Sequence, residues 1–346
     1  MASCSPTTSE RDQGGSCMTT TILTLHPDIV ETHILTRLDG QTLAAAACTS
    51  SQLHSLCTQE NLWREICSST WPSASDPRVQ TIISDDHRSF FSDSFPVLDC
   101  RQKPPSKHTR DVIITKELIS SVDIYYQNKA IFSKVAETET VTGWFQFPPF
   151  RIDLLDLKDR LPTPIQFVGE TDVLFKHLEE NLTLSWIIVE PDRRRAVNLS
   201  SRWPVSVEED WLTHELHVKY AVVMAGDQRW GLFSGRGLVE CEVMVILGGQ
   251  EVGGEMYVKE VTMQMKDMEG KNLCGKDSLV ILKEVMENGK GKRGRKGEEK
   301  EGYEEFLQKK RERKDKKERI ENVLNNVCLA TGFLLFVAFL SIKFFF

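Results

Sequence analysis

Eight histidines, nine cysteines and 50 carboxylates give this 346-residue chain ample material for acid-base, nucleophilic or metal chemistry, so spacing has to decide. His214-Glu215-Leu216-His217 comes nearest to a metal motif. Its histidines are three apart, whereas the H-E-x-x-H zinc pattern needs four so that both rings reach one ion from a helix. The segment reads as a strand, where positions three apart face opposite ways. Gly231 to Gly237 lacks the dinucleotide and Walker phosphate patterns, and Gly289 to Gly294 ends without the Gly-Lys-Ser/Thr a P-loop requires. No G-x-S-x-G nucleophile elbow occurs. No turnover site, cofactor or metal site is indicated, and the chain reads as a binding protein rather than an enzyme.

Cysteine spacing points the same way. The nine lie at 4, 17, 48, 57, 67, 100, 241, 274 and 328 with no C-x-x-C pair, which suggests neither a disulfide framework nor a zinc cluster. The body therefore reads as cytosolic or nuclear. Five of the seven tryptophans, at 144, 186, 203, 211 and 230, fall within residues 110–287. Large aromatics are mostly core, yet Trp is also enriched at binding hot spots. Trp203 is the best candidate for contact, flanked by Arg202 and Pro204 and following Arg193-Arg194-Arg195. Arg202, Trp203 and Trp211 are the expected substrate-binding residues.

These residues need elements to hold them. Period-two alternation over Val258 to Met265 places Val261, Met263 and Met265 on one face and Glu260, Thr262 and Gln264 on the other. Leu238 to Leu247, Ser185 to Val189, Leu216 to Met224 and Leu279 to Leu282 read as further strands, punctuated by Gly226-Asp227, Gly248-Gly249 and Gly253-Gly254. Without long interleaved helices, residues 110–287 are expected to form a mainly antiparallel, β-sandwich-like domain that recruits another protein.

The N-terminal part is helical. Residues 1–22 are Ser/Thr-rich without an apolar run, so they read as a disordered tail rather than a signal peptide. Val30, Ile34 and Leu38 form an i, i+4, i+8 stripe, widened by Leu35, on a helix over about Asp28 to Leu38. Asp39-Gly40 ends it and caps a second helix over Thr42 to Cys48. Ser50 or Ser51 caps a third, with Leu53 and Leu56 on one face, and Leu62, Trp63 and Ile66 supply a large anchor. Three helices in about 45 residues bury little apolar surface alone, which favours completing the core against a partner. A Ser/Asp/Pro-rich connector is expected over 68–109.

The pattern of residues 23–67 resembles the F-box. Leu25 and Pro27 match its Leu-Pro start, followed by Ile34-Leu35, Leu38, the Ala/Cys-rich Leu43 to Cys48 and Leu62-Trp63. Two departures fall inside it: His26 separates the Leu from the Pro, and Asp39 stands where a Pro is common. The resemblance implies docking to a Skp-type adaptor and, through it, a cullin, with the rest of the chain selecting a protein substrate for ubiquitination. It also implies an adaptor surface built from Leu25, Pro27, Val30, Ile34, Leu35, Leu38, Leu43, Leu53, Leu62 and Trp63. The order of parts, with Leu184 to Val218 and Gly275 to Leu282, resembles the plant F-box group typified by a cytokinin-induced member. A non-degradative or lectin-like binding role is the alternative, suggested by resemblance to plant sandwich domains of the phloem-lectin kind.

Charge divides the remainder. Lys290 to Arg319 holds 14 basic and 8 acidic residues, a net of +6 within a chain total of −7, so the rest carries −13. So acidic a body argues against a nucleic-acid partner. The basic neck, 288–321, suits a membrane surface, a helix of Glu/Lys pairs, or nuclear import through Lys290 to Lys296. Asn322 to Ile342 is a run of 21 uncharged residues, about 31 Å long as a helix, the thickness of a bilayer's hydrocarbon core. Residues 322–346 are therefore expected to be a transmembrane tail anchor. Val323, Val327, Leu329, Phe333, Leu334, Leu335, Phe336, Val337, Phe339, Leu340 and Ile342 would meet lipid. The basic flank would keep the body in the cytosol or nucleoplasm, at the endoplasmic reticulum or nuclear envelope. A buried terminal helix, docked on the body, is the other reading of the same residues. The expected class is α+β: a three-helix F-box, antiparallel sheets and a C-terminal membrane helix.

Overall fold

The computed structural model describes residues 26–84, 86–95, 97–98, 115–156, 158–166, 171–226, 237–249, 254–289, 291–292 and 297–345. Leu25, Trp230, the tail over 1–22 and most of Lys290 to Lys296 lie outside them. The chain divides into two compact units, Met1–Ile66 and Cys67–Phe346.

The first unit is helical. Helix α1 (Pro27–Ile29) runs into a π-helical turn over Val30–Ile34 and a 3-10 turn over Leu35–Arg37, where one regular helix was expected. Thr32 and Thr36 donate their hydroxyls to the carbonyls of Asp28 and Thr32, four residues back, a pattern that bends helices. Asp39 then caps α2 (Gly40–Ala47) by accepting from the Thr42 amide at 2.7 Å, and Ser50 caps α3 (Ser51–Cys57) by accepting from Leu53. Helix α4 (Glu60–Thr70) supplies Leu62 and Trp63, both buried.

Residues 68–109 open differently from the expected connector. A 3-10 turn (Pro72–Ser75), α5 (Pro77–Ile83) and α6 (His87–Ser94) occupy its first part, followed by β1 (Val97–Leu98). The Asp and Pro residues that read as loop chemistry act as helix starts: Asp76 and Asp86 accept amide hydrogens as N-caps, and Pro72 and Pro77 sit in first turns. Trp71, Val79, Ile83, Phe90 and Phe91 are buried, with Trp71 meeting Phe90 edge-on at 5.7 Å. This segment is sewn to the first long strand, β2 (Glu117–Tyr126), because buried Asp123 accepts from the amide and hydroxyl of Ser73.

Two antiparallel sheets follow. Strands β2, β3 (Lys129–Glu139), β6 (Leu182–Glu190) and β7 (Arg195–Asn198) form one in the order β3-β2-β6-β7. The other contains β4 (Arg151–Asp153), β5 (Leu161–Gln166), β8 (Ser206–Glu209), β9 (Leu216–Ala225), β10 (Leu238–Gly248) and β11 (Glu255–Asp267). Its order is β4-β11-β10-β9-β8, with β5 also on β11. Val122, Ile124, Trp186 and Ile188 of the first sheet share one core with Tyr220, Val222, Val243 and Met263 of the second. Val261, Met263 and Met265 are fully buried along β11, as alternation requires.

Helices cover this core. A single turn, α7 (Gly143–Gln146), precedes β4, and α8 (Thr171–Asn181) buries Leu174 and Leu178. Leu279 to Leu282, expected as a strand, lies inside α9 (Gly275–Asn288), where Leu279, Leu282 and Met286 recur at helical spacing. A four-residue apolar run has no period of its own, and its neighbours decide. Beyond a short β12 (Gly291–Lys292), paired with β1, the basic neck and apolar tail form one helix, α10 (Glu298–Phe345), of 48 residues.

Candidate functional site

The π turn decides which residues the N-terminal unit presents. The amide of Leu35 bonds to the Val30 carbonyl five residues back, so Val30 and Leu35 are both buried. A regular helix would have buried Val30, Ile34 and Leu38 in one stripe. Ile34 and Leu38 are instead half-buried, as is Leu53, while Pro27 and Ile29 are exposed. Of the expected adaptor residues, Val30, Leu35, Leu43, Leu62 and Trp63 are buried, and Leu25 lies outside the described residues. Trp63 is fixed by donating Nε1–H to the Cys57 carbonyl at 2.8 Å, and Gln59 donates to Glu31 at 3.0 Å. The buried set lies beneath a surface at which Pro27 is exposed and Ile34, Leu38 and Leu53 are half-buried.

Arg202, Trp203 and Trp211 are not brought together. Arg202 and Trp203 precede β8, and Trp211 follows it. The Arg202 guanidinium stacks over the Trp203 ring at 5.0 Å, and both backbone amides donate to Glu299 at the start of α10. Burial raises the Glu299 carboxyl above its usual range despite these donors. Arg202 and Trp203 therefore seat a helix. Trp211 is 83% exposed beside Leu212 on the turn between β8 and β9, and Trp144 of α7 is 90% exposed beside exposed Phe147. Of the tryptophans in this part of the chain, only Trp186 is a fully buried core residue among those described.

The outer face of the larger sheet carries a charge cluster that α10 completes. Glu240 and Glu242 alternate with inward Val239, Cys241 and Val243 along β10, so both carboxylates face outward beside Lys219 of β9 and Lys266 of β11. Lys219 bridges them at 2.8 and 2.6 Å, and Lys266 reaches Glu242 at 2.7 Å. From α10, Tyr303 donates its hydroxyl to Glu240 at 2.6 Å and Lys310 approaches it at 3.3 Å. Burial alone would raise both carboxyls; the surrounding ammonium groups, Lys219 foremost, hold them below the usual range. Around this cluster Tyr303 and Phe306 pack on Val205, Ala221 and Val223. Lys300 reaches Glu179 at 2.9 Å and Lys317 reaches Glu269 at 3.1 Å.

The first part of the neck is thus a stem clamped along a sheet through Tyr303 and Phe306, while residues 311–321 are mostly exposed and carry the i, i+4 pair Lys314–Glu318. Its signal was legible in Tyr303, Phe306 and Leu307, an i, i+3, i+4 stripe inside a charged run, and in the Glu-Cys-Glu alternation of β10. The second half of α10 differs. Val323, Val327, Leu329, Phe333, Leu334, Leu335, Phe336, Val337, Phe339 and Leu340 are 40 to 73% exposed, and the apolar window is not covered by any other part of the described chain. The side chain of Ile342 lies outside the described set. Length and apolarity suffice to cross a bilayer. No group of three His, Cys, Asp or Glu able to hold a metal occurs among the described residues.

The F-box-like family matches residues 27–69. The probable F-box protein At2g36090 of Arabidopsis thaliana is 45% identical over 276 residues, 80% of this chain and 77% of the relative. The F-box proteins At3g44326 and At2g27310 of the same plant are 44% and 41% identical, covering 82% and 79% of this chain and 78% and 80% of their own lengths. These matches extend far past the docking module into the sheets. No solved structure matches the chain.

Proposed function

This chain belongs to the plant F-box proteins, and from that membership we propose that it is the membrane-tethered substrate receptor of a Skp, cullin and F-box ubiquitin ligase. The adaptor docks on the N-terminal helices, and ubiquitin transfer is carried out by other subunits. The observation that carries the reading is the F-box-like match at 27–69, followed by a second, β-rich compact unit that would select the substrate. In this reading Pro27, Ile34, Leu38 and Leu53 contact the adaptor, while Val30, Leu35, Leu43, Leu62 and Trp63 hold the helices in place. Trp211 and Leu212, both exposed, are the candidates for substrate contact. The uncovered apolar half of α10 supports a bilayer anchor, with the basic stem on the cytosolic or nucleoplasmic side.

A purified plant Skp-type adaptor should bind the full chain in detergent, and Ile34→Asp combined with Leu38→Asp should abolish binding while leaving the thermal melt unchanged. Undiminished binding by that double variant would reject the assigned surface. Absence of binding by the unaltered chain would reject the receptor role.

A further inference from the structure

The stem clamp fixes which end of the β-rich unit faces a bilayer, and that end carries an exposed aromatic loop. The inference rests on the membrane span proposed above. Lys317 of α10 is tied to Glu269, on the tight turn after β11 in which Asp267 accepts the amides of Glu269 and Lys271. Val323 follows six residues later, about 9 Å further along the helix, and headgroups extend roughly 5 to 7 Å beyond the hydrocarbon. The Asp267 to Lys271 turn therefore stands just outside the headgroup layer, within about 2 to 4 Å of it.

The loop between β3 and β4 lies at the same end. After the turn, Asn272 pairs back on Lys266, Leu273 accepts from the Phe150 amide at 2.7 Å, and Cys274 pairs with Pro149. Phe147 and Pro149 line one cleft of about 600 Å³ together with Asp267, Glu269 and Arg313 of the stem. The loop is rigidly built. Glu139 accepts from the amides of Val141 and Thr142 and from the Thr142 hydroxyl, Gln146 donates to the Val141 carbonyl, and Phe145 packs edge-on against Phe150 at 5.9 Å. What this frame holds outward is Val141, Trp144 and Phe147, at 52%, 90% and 79% exposure.

We propose that Trp144 and Phe147 insert into the headgroup layer of the bilayer that α10 spans, giving the β-rich unit a second membrane contact. Tryptophan, with an apolar ring and a polar N–H, favours that layer, Phe147 adds apolar area beside it, and the eight basic residues from Lys309 to Arg319 favour anionic lipid nearby. The other exposed apolar pair, Trp211 and Leu212, sits at the far end. Leu216, at its side of β9, pairs with Leu247, whereas Ala225 at the opposite end of β9 pairs with Leu238, which lines the cleft. Ten residues of strand separate the two ends, roughly 30 Å. One aromatic surface faces lipid, and the other is left for a protein.

Photo-crosslinking distinguishes the arrangements. The full chain would be reconstituted into phosphatidylcholine vesicles containing phosphatidylserine, with p-benzoylphenylalanine replacing Trp144, Phe333 or Trp211 one at a time. Lipid adducts at 144 and 333 but not at 211 are expected. Adducts at 333 without any at 144 would overturn the loop contact while leaving the span intact, and in cell membranes protein adducts alone at 144 would do the same in favour of a protein partner. Lipid adducts at 211 as well would overturn the orientation. No lipid adduct at 333 would remove the span and, with it, this inference.

Discussion

Glu240 exposes 1% of its side chain yet stays ionised, because Lys219, Tyr303 and Lys310 surround the carboxylate that burial alone would neutralise. Removing one member of such a buried cluster strands the others. Glu240→Gln should lower stability by about 3 kcal/mol, and Tyr303→Phe, which deletes one bond to a charged acceptor, by about 1.5 to 3 kcal/mol. Both losses should show as faster amide exchange over 298–319, with the core strands little changed. The pH dependence has a definite sign. Glu240 and Glu242 titrate below their unfolded values, so their contribution is complete above the unfolded carboxylate range and disappears as pH falls through the folded value. Asp123 runs the other way, since burial raises it against the donors on Ser73, and its ionisation opposes folding as pH rises. Protection of the stem amides, taken relative to their intrinsic exchange at each pH, should therefore fall on acidification below about pH 4, and Glu240→Gln should flatten that response. Constant protection across the acid range would argue against the cluster as the clamp.

At the scale of elements, close approach is the constraint least visible in sequence. Gly275 opens α9 where an added Cβ would lie 2.1 Å from the Phe145 carbonyl oxygen. Gly275→Ala must push α9 from the α7 loop, an overpacking cost of about 1 to 3 kcal/mol. The resulting fall in melting temperature should come with altered protection at 141–147. Trp63→Ala, by contrast, empties a buried site in the docking module and should cost about 3 to 5 kcal/mol, read by denaturant titration. Elements whose signals are local were legible. Asp39 and Ser50 cap as their side chains dictate, and Val261, Met263 and Met265 alternate inward. Elements set by non-local burial were not. The β2–β3 hairpin turns on Gln127 and Asn128, both at positive φ, without the glycine that usually marks such a turn. Leu279 to Leu282 has the composition of a strand, and only the core against which α9 lies makes it helical. At the candidate sites, the F-box-like pattern over 27–69 was readable, but the π turn that sorts Val30 and Leu35 inward from Ile34 and Leu38 depends on threonine back-bonding, which no apolar count records.

For the whole molecule, one helix has two surroundings. Tyr303 and Phe306 of α10 are buried on the sheet and Lys317 makes an exposed ion pair with Glu269, whereas from Val323 onward nothing among the described residues covers the helix. Twelve Val, Leu, Ile and Phe residues between Val323 and Ile342, at about 0.3 to 0.6 kcal/mol each, favour insertion by roughly 4 to 7 kcal/mol. A single arginine near the centre costs about 2.5 to 3.5 kcal/mol, so Leu335→Arg should still leave insertion favoured. Two such residues cost roughly 5 to 7 kcal/mol, which cancels the gain, so Phe333→Arg combined with Val337→Arg should release the chain. The full chain and Leu335→Arg are accordingly expected to pellet with membranes after carbonate extraction, whereas the double arginine variant and a chain ending at Asn322 are expected in the supernatant. Adaptor binding should persist in all four, because it belongs to the other compact unit. A soluble full chain, or a double arginine variant that pellets as firmly as the parent, would show that the exposed apolar half of α10 is covered by protein instead of lipid.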